Sequence, residues 1–188
     1  LAKYDTAGAE LWVQRYGETQ DFESAYHLVV DGLGNAYVGG NGGNDKGGFL
    51  VVKYSASGTQ QWERAFDGGK QSDNIKAMLL DSAGNLLVTG TSAYGTVGSS
   101  YVTLAYDSSG NQLWFERYTA GDSIGGYKQP RAIDEDDSGN IFVSGIIENT
   151  DTGYDLAIVK YSQAEITSDT TAPTVTEISP PNNATGFP

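Results

Sequence analysis

Few residues in this chain are equipped for chemistry. His27, in "SAYHLVVD", is the only histidine, and no nucleophile partner stands out for it as a general base. It is expected to be structural or to line a pore. The densest acidic cluster is "DEDD" at 134–137. Calcium takes six to eight oxygens from a suitable loop, and the D-x-[DN]-x-[DN]-G spacing is absent. Asp134, Asp136 and Asp137 are therefore weak metal candidates, and neither a metal nor a cofactor is expected. The glycine loops "GGNGGNDKGG" and "TSAYGTVGSS" lead into strands, and neither carries the G-x-x-x-x-G-K-[ST] of a phosphate cradle. The sequon Asn183-Ala184-Thr185 is close to chance. The absence of cysteine excludes disulfides, thiolate catalysis and cysteine zinc sites. What remains is aromatic. Tyr94, Tyr127 and Tyr154 fall in connecting segments, where a ring face could stack on a sugar.

These residues must be positioned by something, and the chain shows what. "YDTAGAELWVQRY" (4–16), "YSASGTQQWERAF" (54–66) and "YDSSGNQLWFERY" (106–118) are near copies. Tyr4, Tyr54, Tyr106 and Tyr161 are 50, 52 and 55 residues apart. Trp12, Trp62 and Trp114 keep the same step. So does "DGLGN", "DSAGN", "DDSGN", with Asp31, Asp81 and Asp136 followed by Gly34, Gly84 and Gly139. A period of about 50 residues is close to one blade of a β-propeller.

Within each period the runs are short, apolar and β-branched or aromatic, as in "FLVVKY", "YVTLAY" and "LAIVKY". Strands buried on both faces read this way. Asp-turns and longer loops separate them, which gives four antiparallel strands per period. On the Trp strand, residues four apart share a face. Trp12 and Tyr16, Trp62 and Phe66, and Trp114 and Tyr118 should each lay two aromatics on the neighbouring blade.

The marks Lys53-Tyr54, Gly58, Trp62, Asp81, Gly84-Asn85 and Gly90 resemble the seven-bladed β-propeller (SBBP) repeat of bacterial and archaeal exported proteins. The resemblance covers about residues 1–161. It implies an extracellular or cell-surface location. After Tyr161 no tryptophan follows, and "SDTTAPTVTEISPPNNATGFP" is rich in Thr and Pro. That segment looks like a linker, an incipient strand over Thr174 to Ile178, and the opening of a bacterial Ig-like domain. The expected organisation is propeller repeats over 1–165, a linker over 166–172 and a truncated Ig-like start over 173–188.

The fold class is thus all-β: blades of four antiparallel strands, about three and a half repeats, forming an open arc of a larger propeller. The arc should open on two outer strands and close on three strands of a fourth blade. A first residue of Leu rather than Met reads as a piece of a longer chain. Formal net charge is −13, from 24 acidic and 11 basic residues, so nucleic acid is not an expected partner. No apolar run approaches the ~18 residues of a membrane helix, so no membrane insertion is expected.

Two enzyme families carry motifs of this kind. Asp107 to Trp114 is similar to the tryptophan-docking motif of quinone-dependent dehydrogenases, but one residue short between Asp and Gly. Sialidase Asp-boxes differ in spacing, and Arg15, Arg64 and Arg117 belong to successive blades rather than to one cluster. The expected function is a non-catalytic scaffold or binding segment of a secreted or cell-surface modular prokaryotic protein. Its expected partners are a carbohydrate or protein ligand and the neighbouring blades or Ig-like domains of the full-length chain. The alternative is part of a propeller hydrolase or lyase whose catalytic residues lie in other blades.

Overall fold

The computed structural model describes residues 1–17, 24–42, 48–68, 73–93, 98–119, 126–149, 153–162 and 174–178. All the regular structure among them is β. Fourteen strands form four antiparallel sheets. The first sheet has two strands, β1 (Ala2–Tyr4) and β2 (Glu10–Val13). The second holds β3 (Ser24–Val30), β4 (Ala36–Gly42), β5 (Gly48–Tyr54) and β6 (Gln60–Phe66) in order. The third holds β7 (Asn74–Leu80), β8 (Leu86–Ala93), β9 (Ser99–Tyr106) and β10 (Gln112–Tyr118). The fourth holds β11 (Lys128–Glu135), β12 (Ile141–Asn149), β13 (Gly153–Ser162) and β14 (Thr174–Ile178). The sheets do not close on one another, so the fold is an open, propeller-like arc.

The end of the arc corrects one expectation. Three strands were expected in the last blade, and there are four, because β14 pairs antiparallel with β13 from Ile158↔Ile178 to Ser162↔Thr174. The strand over Thr174–Ile178 is legible in the Thr/Pro-rich tail, but its place in the fourth sheet is not. It lacks the tryptophan that announces the outer strand elsewhere, and eleven residues separate it from β13 in sequence. At the other end, Tyr26, Leu28 and Val30 of β3 are more than half exposed, because no inner strands of the first sheet cover them.

The turns explain the repeated Asp-x-x-Gly. Asp31 Oδ1 accepts from the amides of Leu33 (3.0 Å) and Asn35 (2.9 Å), and Oδ2 accepts from Asn35 Nδ2 at 2.7 Å. Asp107 and Asp136 repeat the set with Asn111 and Asn140. Each is a three-residue hairpin loop closed by a bulge residue with positive φ.

These bonds hold carboxylates below their ordinary pKa. At Asp107 and Asp136 the Asn side chain is the main cause. At Asp31 desolvation opposes, and Asn35, the turn amides and Lys53 outweigh it. A carboxylate whose folded pKa is depressed stabilises the fold above its unfolded pKa, and this is lost as pH falls through the folded value. Glu116 works in the opposite sense, because burial raises its carboxyl. With three turns against one glutamate, the melting temperature should fall as pH drops from about 5 to about 2. Asp107→Asn should flatten that acid limb, and an unchanged limb would remove the turns as its cause.

The sheets adhere through aromatic and aliphatic clusters. β5 and β9 are buried almost throughout, as their unbroken apolar runs require. Trp62 packs edge-on to Tyr37 of its own sheet (centroids 5.8 Å) and against Tyr106 of the next (6.3 Å). Phe66 bridges Phe49 and Phe115 in the same way, each at 5.4 Å. Trp114 meets Tyr161 of the fourth sheet at 5.7 Å. The aromatic four residues on from the tryptophan follows it at the ends too. Tyr16 packs on Leu50, Val52 and Tyr54 of the second sheet and donates its hydroxyl to Glu63 (3.1 Å), and Tyr118 meets Tyr101 edge-on within the cluster shared with the fourth sheet.

Two of the three tryptophans also grip the turn of the following sheet. Trp12 Nε1 donates to the Ala56 carbonyl and Trp62 Nε1 to the Ser108 carbonyl, both at 3.1 Å. Lys3 and Lys53 donate to the same two oxygens, at 3.0 and 2.7 Å. The lysine before the tyrosine thus shares the tryptophan's seat.

Candidate functional site

Antiparallel order places the tight turns at one end of every sheet and the longer connections at the other. The expected ligand residues belong to the connection end. Tyr127, just before β11, and Tyr154, on β13, come together there. Their ring centroids are 6.4 Å apart at 88°, an edge-to-face pair. Both are open to solvent, Tyr127 by 41% and Tyr154 by 65%. The pair is fixed from behind: Tyr127 N donates to Glu148 Oε2 (2.8 Å), and Glu148 N donates to Tyr127 O (2.7 Å). Tyr94 lies outside the described residues.

Beside this pair, a cleft of about 370 Å³ opens between the third and fourth sheets. Its walls carry Asn74, Lys76, Thr91, Ser99, Tyr127 and Gln129. Ser99 Oγ accepts from Lys128 N (2.7 Å) and donates to Lys128 O (2.9 Å), which pins β9 to β11. Tyr101, the β9 partner of Thr91, donates its hydroxyl to the carbonyl of Ile146, the β12 partner of Gln129. Burial, with help from Tyr161, pushes the Tyr101 phenol well above its ordinary pKa. It therefore stays a neutral donor.

Two wall groups are unusual. Thr91 and Gln129 are over nine-tenths buried, yet Thr91 Oγ1 and Gln129 Oε1 have no hydrogen-bond partner. One other buried side-chain oxygen among the described residues shares this state, Asn41 Oδ1. Asn41 donates from Nδ2 to Asn74 Oδ1 at 2.5 Å, so all three belong to one polar row along the connection end. An unsatisfied buried polar group costs about 1–3 kcal/mol. Other polar groups at this end are satisfied. Asp73 accepts from the amides of Gly68 and Ala93, and Arg117 Nη1 donates to Ser100 Oγ (2.6 Å) and Ser92 Oγ (3.2 Å).

A second cleft of about 370 Å³ lies between the first and second sheets, with Leu50, Val52 and Val38 in its wall. It is the gap beside β3 left by the short first sheet, and of the three unpaired oxygens only the one on Asn41 belongs to a residue of its wall.

The other sequence candidates separate. His27 approaches the Ile75 carbonyl with Nε2 at 3.3 Å, which ties β3 to β7 away from the tyrosines. Asp136 is committed to its turn, and Asp134 Oδ1 accepts from the Glu135 amide at 2.9 Å. Glu135 grips Ser82 of the third sheet through the amide (2.6 Å) and hydroxyl (2.8 Å). Among the described residues no three His, Cys, Asp or Glu side chains gather as metal ligands. Arg64 reaches the Gly110 carbonyl (2.6 Å), and so acts at a sheet junction.

No motif in the sequence singles out Asn74, Lys76, Thr91 and Gln129. The signal was faint: Asn41, Thr91 and Gln129 are polar residues in otherwise buried strand ends. Lys76 is the extra residue of a β-bulge between Ile75 and Ala77, a device that re-aims a side chain. No protein-family model and no curated protein matches this chain, so the chemistry of this end of the sheets has to speak for itself.

Proposed function

We propose that this chain is a non-catalytic propeller scaffold that presents a glycan-binding face at the connection end of its sheets. It would serve as a segment of a secreted or cell-surface modular prokaryotic protein. The observation that carries this reading is the exposed edge-to-face pair of Tyr127 and Tyr154 beside a polar cleft. Tyrosine faces offer a large amphipathic contact at low entropic cost, which suits the apolar face of a sugar ring. The likeness to SBBP repeats supports an exported location. Among the described residues, no pair of free carboxylates and no histidine meets at the cleft, so acid–base turnover has no visible means there.

A glycan array probed with this protein, with a hydrolysis assay on each hit, tests the reading. Binding without turnover is the expected result. Tyr154→Ala should weaken a hit by about tenfold or more, equal to ~1.4 kcal/mol, while the melting temperature stays put. Turnover of a bound glycan would replace the scaffold reading with an enzymatic one. A protein-only ligand, or no ligand, would remove the glycan.

A further inference from the structure

We infer that the cleft between the third and fourth sheets is a subsite for one hexuronic-acid ring, a pyranose carrying a carboxylate. This deepens the glycan-binding reading and rests on it. The size fits: about 370 Å³ is near the lower end of small-ligand pockets, enough for a single ring. The polar wall fits as well. Gln129 Oε1 is an acceptor lacking a donor, and Thr91 Oγ1 can donate or accept. Both oxygens are closed to solvent here, so the two side chains must turn outward for ring hydroxyls to meet them. Lys76 stands on the same wall and has no acidic partner among the described residues, in a chain with more than twice as many acids as bases. Its ammonium would meet the carboxylate. Tyr127 borders the cleft and leads to Tyr154, so a neighbouring sugar could continue onto the tyrosine pair.

A site kept for a ligand also makes a prediction about stability. Thr91→Val removes a hydroxyl that the fold does not use, and an isosteric apolar group can relieve an unpaired one. The variant should melt at or above the parent temperature and yet lose ligand, the usual opposition of stability and function at a site.

The experiment titrates D-glucuronate and D-galacturonate into the protein, following the Gln129 side-chain amide by two-dimensional NMR. A saturable shift with Kd about 1 mM is expected for at least one of them. Thr91→Val should abolish it, and Lys76→Met should weaken it at least fivefold, with D-glucose binding more weakly than the acid. No shift at tenfold higher concentration overturns the inference. So does a shift that both variants leave intact, or a Thr91→Val protein that melts well below the parent, which would show that the hydroxyl serves the fold. If an array glycan is lost in Tyr154→Ala but kept in Thr91→Val and Lys76→Met, the subsite falls while the binding face stands. If no glycan binds at all, both fall.

Discussion

Replacing Trp62 by alanine should destabilise the protein by about 3–5 kcal/mol, the usual range for a buried aromatic cut back to a methyl group. Trp62 is 9% exposed and lies in the cluster that joins the second sheet to the third. Its ring touches Tyr37 behind and Tyr106 ahead, with the Arg64 guanidinium over it at 5.7 Å. Losing the indole therefore empties a space walled by two sheets, and neither can collapse alone. The lost hydrogen bond matters less, because Lys53 still donates to the Ser108 carbonyl. For a domain of this size the melting temperature should drop by about 6–20 °C. Trp12→Ala is the comparison. It makes the same bond to the next turn but is only half-buried, since the first sheet is two strands wide. Urea or thermal unfolding should rank Trp62→Ala well below Trp12→Ala. Equal losses would mean that the indole hydrogen bond, not the packing, joins the sheets.

That ranking shows how far the fold could be read from the chain. The fifty-residue step gives the blades because every blade solves the same adhesion problem with the same residues, Trp62 and Tyr106 at one junction, Trp114 and Tyr161 at the next. Asp31, Asp107 and Asp136 are legible for a similar reason, since a carboxylate, a glycine and an asparagine at fixed offsets define the turn locally. The site is different. Tyr127 and Tyr154 stand out individually as aromatic residues in connections, but their edge-to-face contact depends on β11 and β13 ending side by side across β12. Thr91 and Gln129 are ordinary strand residues in sequence. Only the meeting of two sheets buries their oxygens without partners. β14 is legible as a strand, but its place in the fourth sheet is set by pairing with β13 and by no repeat mark of its own. What repeats is visible in one dimension, and what happens once is not.

Gly110→Ala should cost about 2–5 kcal/mol, although it adds a single methyl group to a turn. Two physical terms contribute, and the molecule allows them to be measured apart. The first is conformational. Gly110 sits at φ +82°, in the left-handed region, where an L-residue costs about 1–2 kcal/mol. The second is steric. A Cβ on Gly110 would lie 2.8 Å from Cδ2 and 3.0 Å from Cγ of Trp62, inside contact distance of a ring held by two sheets. Overpacking of that kind typically costs about 1–3 kcal/mol. Gly84 occupies the same position in its own turn with the same φ of +82°, and a Cβ there meets nothing within 4 Å. Gly84→Ala therefore reads the conformational term alone, and the difference between the two variants reads the seat. The double variant closes the argument. With the indole gone in Trp62→Ala, adding Gly110→Ala should cost no more than Gly84→Ala does, a coupling of about 1–3 kcal/mol between residues 48 positions apart in sequence. Additive costs in that cycle would show that the glycine is kept for its backbone angle only. The seat for the tryptophan of the preceding sheet would then play no part in choosing the residue.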